Sequence, residues 1–547
     1  MKTVDEFSEY YTVFLNGTYD CVDRIVINAR YPLLHNPGGF RLWWRLHTGS
    51  DAKLDNTHLM RMAGHFSRRI RAWAKSNEVP VIDCRSGFRK HEFAEEHIPQ
   101  DSDFTGVFLI LVAKSMAPIW HVKQFKGGIH LEKKLAYINH YSFHIVDRDW
   151  GHVTIKISSH PPFGAMVILN GHEWVERQAR KQGFEVIKEG NCFTSLSNIA
   201  AVDRIADTLN ALHSIGRLSA VCDRWIYSAC LCFALDLADQ DRTGFRYQYS
   251  ICQIEYSRNL LFKRGRDLDQ VYQRVIDLTR GSLDARIVKT LFGWKHRPCF
   301  RKKGKRDSSQ PKVTVEKPTY NLTVFRVCFG KLTLKMYDKG ERVLRIEAVA
   351  HNTKDLRCGK VIAKFPIMVS SLRNSAIRFL NVLRYAHISF LDQGALDELP
   401  QPTCRGKQRV AGVDINKPRM RAVIEALMSL APKPGGFSVS HLAAKVREIT
   451  GWTNYGTRQA AYDLKKIRGK AFVEQGNTSR RYLVSLQRFQ TVWALLTLRE
   501  KVLKPVLAST GNCREGATPK EQSTLDIHYE NLRNELRRIF VTLGIAA

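Results

Sequence analysis

The sequence predicts a mixed α/β (α+β) multidomain body followed by a C-terminal winged-helix domain. Segments with strand alternation and segments with helical spacing follow one another over the first half of the chain. A helix, helix, turn, helix, hairpin order then occupies residues 413–508. The length of 547 residues, 44 % of them hydrophobic, is enough for several domains with cores of their own.

Shifts in composition predict the domain boundaries. Residues 1–294 are expected to form the mixed body, and residues 295–312, with eight Lys and Arg, are typical of an exposed basic linker. The remaining segments are an α+β domain with a β-hairpin at 313–396, a linker at 397–412, the winged helix at 413–508, and a linker with a final helix at 509–547.

Helical and strand periodicities alternate within the body. The apolar run 107–113 predicts a buried strand, and apolar spacing predicts helices over 170–183 and 197–216. Gly183 and Gly216 are expected to end these helices. Such alternation is typical of an α/β or α+β body and leaves the strand order open.

One hairpin of the body has a predictable register. With residues 147–151 as its loop, Tyr141 lies opposite Ile157 and His144 opposite Thr154. The apolar residues of both strands then share one face, which is expected to pack on the core. The polar face is expected to meet water, as is usual for one face of an antiparallel hairpin.

Residues 413–508 follow the order of a winged helix. Helices are predicted at 418–430 and 440–450, Thr457 can cap a third, and a two-stranded hairpin follows. In a winged helix the third helix enters the major groove, and the hairpin, or wing, contacts the neighbouring backbone. The expected nucleic-acid contacts are Arg458, Gln459, Tyr462, Lys465 and Lys466 on the helix, with Arg480 and Arg481 on the wing.

The charge of the chain indicates a polyanionic partner. The 85 Lys and Arg exceed the 52 Asp and Glu by 33, and residues 415–504 alone carry 17 basic against 5 acidic residues. Nucleic acid is the commonest polyanion for such a surface. The winged helix favours DNA, while RNA fits the charge equally well, so a protein partner of a structured RNA is a further alternative. The basic linker adds the expected phosphate contacts Arg301, Lys302, Lys303, Lys305 and Arg306.

The segment RQAAYDLKKIRGKAFVEQGNTSRRYLVS resembles winged-helix regulators of the MarR type. A longer series resembles a widespread family of basic bacterial proteins with a MarR-like C-terminal segment and no established activity. Its matching pieces include YDCVDRIVIN, NHYSFHIVDRDWG, LNGHEWVERQ, ICQIEYSRNLLFKR and KMYDKGERVLRIE. The resemblance implies a bacterial origin and an association with mobile elements.

The stretch KMYDKGERVLRIE, residues 335–347, predicts a second hairpin. With residues 338–340 as a loop closed by a left-handed glycine, Leu334 lies opposite Leu344 and Lys331 opposite Glu347. A packed apolar face and a charged face of ion pairs then account for nearly all of the stretch.

The same stretch is similar to the Y-D-K…R-x-E segment of rolling-circle replication initiators. The resemblance implies that Tyr337 attacks DNA while Asp338 and Glu347 supply oxygens to a metal ion. Those initiators also need a His-hydrophobe-His motif, and no H-x-H occurs in this sequence. A hairpin without catalytic function is therefore the favoured interpretation.

A second catalytic hypothesis follows from Asp23, which heads a strand as in RNase H-like nucleases. Together with Asp147 or Asp149 and with Glu347 it would form a carboxylate set for two metal ions. Nothing in the spacing shows that these residues meet. A metal-dependent nuclease or strand-transfer enzyme is thus the alternative function, and Mg²⁺ is an expected cofactor only in that case.

The sequence predicts a cytoplasmic protein without a membrane partner. The first residues contain no apolar signal segment, and the longest apolar run is far shorter than the ~20 residues that span a bilayer. The twelve cysteines include no C-x-x-C pair, which is typical of a reduced compartment. No pattern indicates an oligomeric state.

Overall fold

A computed structural model describes residues 5–272 except 86, 102, 126 and 127, then 311–316, 324–329 and 332–387, then 399–485 except 406, 407 and 477–479, and scattered positions between 492 and 538. Helices and strands are mixed along the chain, as predicted. Within these ranges, no helix is both long and apolar enough to cross a membrane. The five predicted phosphate contacts of the basic linker (Arg301, Lys302, Lys303, Lys305, Arg306) lie outside the described residues.

One 11-stranded sheet forms the centre of the fold, and a small separate hairpin, β7–β8, lies beside it. In chain order the strands are β1 (Leu15–Arg30), β2 (Val81–Asp83), β3 (Gly106–Phe125), β4 (Gly128–Asp147), β5 (Gly151–Ser158), β6 (Ala165–Asn170), β7 (Val186–Lys188), β8 (Phe193–Leu196), β9 (Gln248–Phe262), β10 (Pro311–Glu316), β11 (Val324–Phe329), β12 (Leu332–Lys339) and β13 (Val343–Ala350).

The strand order is β10-β11-β12-β13-β9-β1-β6-β5-β4-β3-β2. All described pairs in this sheet are antiparallel except β2 with β3. The pair β13–β9 is in register from Val343–Leu261 to Ala350–Ile254. The strands that follow the basic linker therefore extend the sheet of the body, and the separate domain predicted at 313–396 is not seen.

Helices cover both faces of the sheet. In chain order they are α1 (Glu6–Tyr10), α2 (Pro37–Thr48), α3 (Asn56–Ser76), α4 (Lys90–Glu96), α5 (Gly171–Lys181), α6 (Ile199–Leu209), α7 (Ser214–Ala229), α8 (Leu237–Arg242) and α9 (Phe365–His387). Helix α9 packs on β9 and β13, and α5 packs on β1. At the other end of the sheet the ring of Phe66, on α3, packs edge-on against Tyr141 of β4.

The predicted register of the β4–β5 hairpin is confirmed, with Tyr141 opposite Ile157 and His144 opposite Thr154. Its polar face is not wet, however. His144 is buried, and its Nδ1 lies 3.0 Å from Nε2 of His152. Burial is the main cause that lowers the pKa of His144 to about 3 and that of His152 to about 4. A small apolar cluster around Ala94 of α4 covers this side of the sheet.

The hairpin at 335–347 is shifted by two residues on each strand from the predicted register. Strand β12 continues to Lys339, and the turn is formed by residues 340–342. Lys335, rather than Lys331, lies opposite Glu347, and Tyr337 lies opposite Arg345. Gly340 has a φ of 59°, so the left-handed glycine opens the turn instead of closing it.

The helix predicted over 197–216 is two helices. Residue Asn210 follows α6, and α7 begins at Ser214 and runs through Gly216, which is therefore not a helix end. The Ser214 side chain donates to the carbonyl of Thr208 at 2.8 Å and links the two helices. A glycine within the first turn of a helix is tolerated, because the neighbouring packing decides where the helix continues.

The C-terminal unit, residues 399–485, has an apolar core of its own. It contains β14 (Thr403–Arg405), β15 (Gln408–Val410), α10 (Pro418–Leu430), α11 (Val439–Thr450), α12 (Thr457–Gly469), β16 (Val473–Gln475) and β17 (Tyr482–Val484). The segment predicted as a linker at 397–412 thus holds the short hairpin β14–β15. The described positions from 527 to 538 are helical.

Candidate functional site

A fully buried arginine, Arg345, connects four neighbouring strands of the sheet. Its Nη2 donates to Asp23 Oδ2 on β1 at 2.5 Å, and its Nη1 donates to Asn259 Oδ1 on β9 at 3.1 Å. Its Nε donates to the Tyr337 hydroxyl on β12 at 3.0 Å. Burial is the largest single cause and would lower the pKa of Arg345, but the charges of Asp23, Tyr337 and Glu347 together outweigh burial and raise it. The guanidinium is therefore charged.

Asp23 reaches this position through an irregularity of strand β1. The pairing of β1 with β9 shifts between Val22 and Ile25, so that Asp23 and Arg24 together lie opposite Glu255. Two residues opposite one define a β-bulge, which redirects a side chain and increases the local twist. The bulge thus places the carboxylate of Asp23 beside the guanidinium.

The second oxygen of Asp23 is also occupied. Oδ1 accepts from the Ser257 hydroxyl at 2.9 Å and lies 2.9 Å from His172 Nδ1. His172 comes this close because α5 begins at Gly171, where a Cβ would lie 1.9 Å from the Val22 carbonyl oxygen. Burial lowers the pKa of His172, with the carboxylate only partly opposing it. Burial would raise the pKa of Asp23, but Arg345 and then His172 lower it overall.

Two further carboxylates lie on the same face. Glu347 is 4 % exposed, accepts from Lys335 Nζ at 2.7 Å, and lies 3.8 Å from Arg345 Nη2. Glu255 is two residues before Ser257 on β9 and therefore faces the same side. Burial, followed by the charges of Glu347 and Asp23, raises the pKa of Glu255. Three acids on adjacent strands thus share this face, and two of them, Asp23 and Glu347, lie within 4 Å of Arg345.

The ligand atoms of Cys21, Asp23 and His172 lie within 4.8 Å of one another, the spacing of a metal site. Their surroundings do not favour a metal ion. Burial and the Asp23 charge raise the pKa of the Cys21 thiol, whereas metal binding needs a thiolate. The Asp23 carboxylate already forms an ion pair with the guanidinium of Arg345. The arrangement is that of a fixed ion-pair network.

The predicted catalytic residues are only partly brought together. Asp23, Tyr337 and Glu347 meet around Arg345, but Tyr337 is not activated. Burial raises its pKa, with the cation of Arg345 only partly opposing this. Asp338 lies on the opposite face of β12, because successive side chains alternate. There burial, and then the charge of Asp269, raise its pKa. Tyr337, Asp338 and Glu347, which the resemblance to replication initiators groups in one site, therefore do not lie on one face of the sheet.

Asp147 belongs to another part of the sheet. It ends β4, three strands away from β1, which is roughly 14 Å at the usual strand spacing. Its Oδ2 accepts from Arg224 Nη1 at 2.6 Å and from Trp225 Nε1 at 2.7 Å. Asp149 accepts from Lys181 at 2.8 Å. The two-metal set of Asp23, Asp147 or Asp149, and Glu347 is therefore not formed in this structure.

The third helix of the C-terminal unit, α12, has a buried side and an exposed side. Ala460, Leu464 and Ile467 are buried in the apolar core. Asp463 is also buried, and its Oδ2 accepts from Arg419 Nε at 2.7 Å and from the Tyr455 hydroxyl at 2.8 Å. The exposed side carries Arg458, Tyr462 and Lys465, and Lys466 Nζ lies 4.6 Å from the centre of the Tyr462 ring.

Gln459 has a structural role at the start of α12. Its Oε1 accepts from the Gly456 backbone N–H at 2.5 Å, and its Nε2 donates to the Asn454 carbonyl at 3.1 Å. Gly456, and not Thr457, is the N-cap residue. The glycine cap has no side-chain acceptor, so the glutamine three residues later supplies the link that fixes the helix start. In this structure the side-chain amide of Gln459, which was expected to contact a base, is hydrogen-bonded to the backbone instead.

The two arginines of the predicted wing differ in exposure. Arg480 is exposed, whereas Arg481 is buried and its Nη1 donates to the Gly436 carbonyl at 3.1 Å. Both line a cleft between the C-terminal unit and the segment 354–378 of the sheet domain. The wing thus faces the sheet domain as well as solvent.

Sequence reasoning missed Arg345, His172 and Asn259, because their partners lie far away along the chain. The one signal in the sequence that could have pointed to Arg345 is the R-x-E pattern at 345–347, because residues two apart on a strand share a face. A scan against protein-family models and searches of curated proteins and of solved structures find no match to this chain.

Proposed function

We propose that the protein binds nucleic acid, with DNA favoured, through a C-terminal unit that acts as a winged helix. Three helices, α10 to α12, precede the hairpin β16–β17, which is the order of elements in that motif. In such a unit α12 enters the major groove and the hairpin contacts the sugar-phosphate backbone.

The observation that carries the proposal is the exposed side of α12. Arg458, Tyr462 and Lys465 follow a spacing of four and then three residues, which places them on one helix face. Neither Arg458 nor Lys465 forms a salt bridge with a described residue, in contrast to Arg419 on α10, which pairs with Asp463. Cations without partners beside an exposed aromatic ring suit phosphate and base contacts.

The main alternative for this unit is docking to another protein. Its surplus of basic residues argues against this, because interface centres are usually depleted of lysine. RNA is a further candidate ligand, since the charge attracts either nucleic acid.

The test is fluorescence anisotropy with a labelled 30-base-pair DNA duplex, its single strand and the matching RNA duplex. Wild type should bind with an affinity that falls steeply with salt. Arg458→Ala and Lys465→Ala should weaken binding, while Arg61→Ala, an equal charge change on the exposed side of α3, should not. A log–log salt slope shallower than about −3 for wild type would refute nucleic acid as the principal partner.

A metal-dependent nuclease or strand-transfer activity is the second candidate. The observation in its favour is the group of Asp23, Glu255 and Glu347 on three adjacent strands, near Tyr337. A divalent ion there would have to displace Arg345 or Lys335 from the carboxylates. Cleavage or joining assays with Mg²⁺ on single-stranded, duplex and structured substrates test this candidate.

A further inference from the structure

A cleft of about 880 Å³ separates the sheet domain from the C-terminal unit. One wall is formed by the loop 354–358 and by one face of α9, whose lining residues recur at helical spacing: Ile367, Ser371, Asn374 and Arg378. The other wall is formed by the loop 433–435, by His441 at the start of α11, and by the hairpin residues Gly476, Arg480, Arg481 and Leu483.

The second wall is held in a fixed position. Phe437 forms a backbone bridge with Tyr482 of the wing. Gly436 has a φ of 73°, and a Cβ there would lie 2.4 Å from the Tyr482 carbonyl oxygen. Only glycine allows this close approach, so the loop 433–436 and the wing present their basic side chains to the cleft as one surface.

The lining is strongly basic. Among the described residues that line the cleft, one is an acid, Asp355, and six are basic: Lys354, Arg357, Arg378, Lys433, Arg480 and Arg481. These residues come from both walls, so the positive charges face one another across the cleft. Like charges held together repel, and a bound anion relieves the repulsion.

No salt bridge joins a basic group of the cleft to a carboxylate of the described residues, although the charge of Asp355 partly opposes the lowering of the Lys433 pKa. Lys433 Nζ lies 3.0 Å and 3.2 Å from the two ring nitrogens of His441 and forms no salt bridge with a described residue. Burial, and then the charge of Arg357, lower the pKa of Lys433 to about 8. Burial also lowers the pKa of Arg378, which has no hydrogen bond to a described side chain, and the charge of Glu474 only partly opposes this.

The other lining groups indicate which part of a nucleic acid fits. The described lining contains no Phe, Tyr or Trp, so it offers no surface on which bases stack. Ser371, Ser375 and Asn374 add neutral polar side chains, which are common partners of phosphate and sugar oxygens. Such a lining recognises the backbone and carries no sequence preference.

We infer that this interdomain cleft binds the sugar-phosphate backbone of the nucleic acid whose bases are contacted by α12. The inference rests on the proposed function and adds a second, sequence-independent site to it. The cleft includes the wing arginines, so it extends the expected wing contact from the hairpin across to α9. The sheet domain then takes part in binding through Arg357 and Arg378.

The test uses the full chain with Arg357→Gln, Arg378→Gln and the double substitution. Arg357 is exposed, so its variant should fold, and thermal melting checks all of them. Arg61→Gln is the matched control. On random 30-base-pair duplexes, each cleft variant should bind more weakly and reduce the log–log salt slope by about 0.9. On the single strand the reduction should be about 0.7, which distinguishes the two forms of backbone.

The outcomes separate the two proposals. If wild type binds and Arg458→Ala weakens binding while the cleft variants match Arg61→Gln, the cleft inference is refuted and the proposed function stands. An acidic protein partner would then be the better occupant. If wild type binds none of the probes, the proposed function fails and the cleft inference fails with it. Reduced slopes for both cleft variants support the inference.

Discussion

Replacing Arg345 with methionine removes the cation at the centre of the buried network while keeping most of the side-chain volume. Asp23 is 1 % exposed, and it would lose the guanidinium that lies 2.5 Å away. The Asn259 amide and the Tyr337 hydroxyl would lose a donor as well. Breaking a buried pair from one side costs about 3–5 kcal/mol, so we expect a loss of that size in the free energy of unfolding at pH 7.

The loss in the free energy of unfolding should itself depend on pH. In wild type the pKa of Asp23 is lowered, so its contribution to stability is present above the unfolded-state value near 4 and is lost below it. In the variant, burial without a cation should raise the pKa of Asp23. Protonation then removes the uncompensated charge, and the variant should regain part of the loss between about pH 7 and pH 5.

Hydrogen exchange at the backbone amides of β1, β9 and β13 measures this loss within the sheet, and thermal melting gives an independent value. The double variant Asp23→Asn/Arg345→Met should be more stable than Arg345→Met alone, because it leaves no buried charge. Arg61→Met serves as the surface control. A loss below about 1 kcal/mol at pH 7, or an equal loss at both pH values, would show that the network does not stabilise the sheet.

The remaining predictions concern the proposed functions. Glu347→Gln should abolish any Mg²⁺-dependent cleavage and keep the affinity for nucleic acid; wild type that cleaves and joins none of the substrates would exclude the nuclease. Arg458→Ala should lose about 1–3 kcal/mol more on a preferred duplex than on a scrambled one, whereas Arg480→Ala should weaken all sequences alike and reduce the salt slope by about one. Binding by both variants that equals that of wild type would make the unit a protein-docking module. A bound anion should raise the pKa of Lys433 from about 8, so duplex affinity should fall about tenfold from pH 7 to pH 9 as this lysine loses its proton. Lys433→Arg should remove that fall in affinity. If the variant shows the same fall, another group is responsible for the pH dependence. The other titratable and charged groups that line the cleft with this lysine are Lys354, Asp355, Arg357, Arg378, His441, Arg480 and Arg481.

The sequence predicted local pairing well where alternation and loop length agree. The β4–β5 register follows from Tyr141 and Ile157, because a shift by one residue would place the apolar residues of the two strands on opposite faces. In the β12–β13 hairpin, a shift by two residues on each strand keeps every side chain on its face. Periodicity therefore cannot distinguish the predicted register from the observed pairing of Lys335 with Glu347.

The network around Arg345 could not be predicted, because it depends on the strand order. Asp23 and Arg345 lie 322 residues apart and meet only because β9 pairs with both β1 and β13. Antiparallel strands that are distant in sequence carry no signal of their order in a sheet. The bulge at Asp23 could not be predicted either, because no glycine or proline lies beside it in the sequence.

The insertion of β13 beside β9 also constrains how the chain is made. At the usual rate of about 5–20 residues per second, a ribosome needs roughly 16–64 s to add the 322 residues between Asp23 and its arginine. During that time the carboxylate has no guanidinium. Once β9 is complete at Phe262, its edge stays open for roughly 4–16 s more, until Val343 of β13 is added. The nascent amino-terminal half is therefore expected to need chaperones that prevent aggregation. It should become soluble only when the segment around Arg345 is supplied, on the same chain or as a separate fragment.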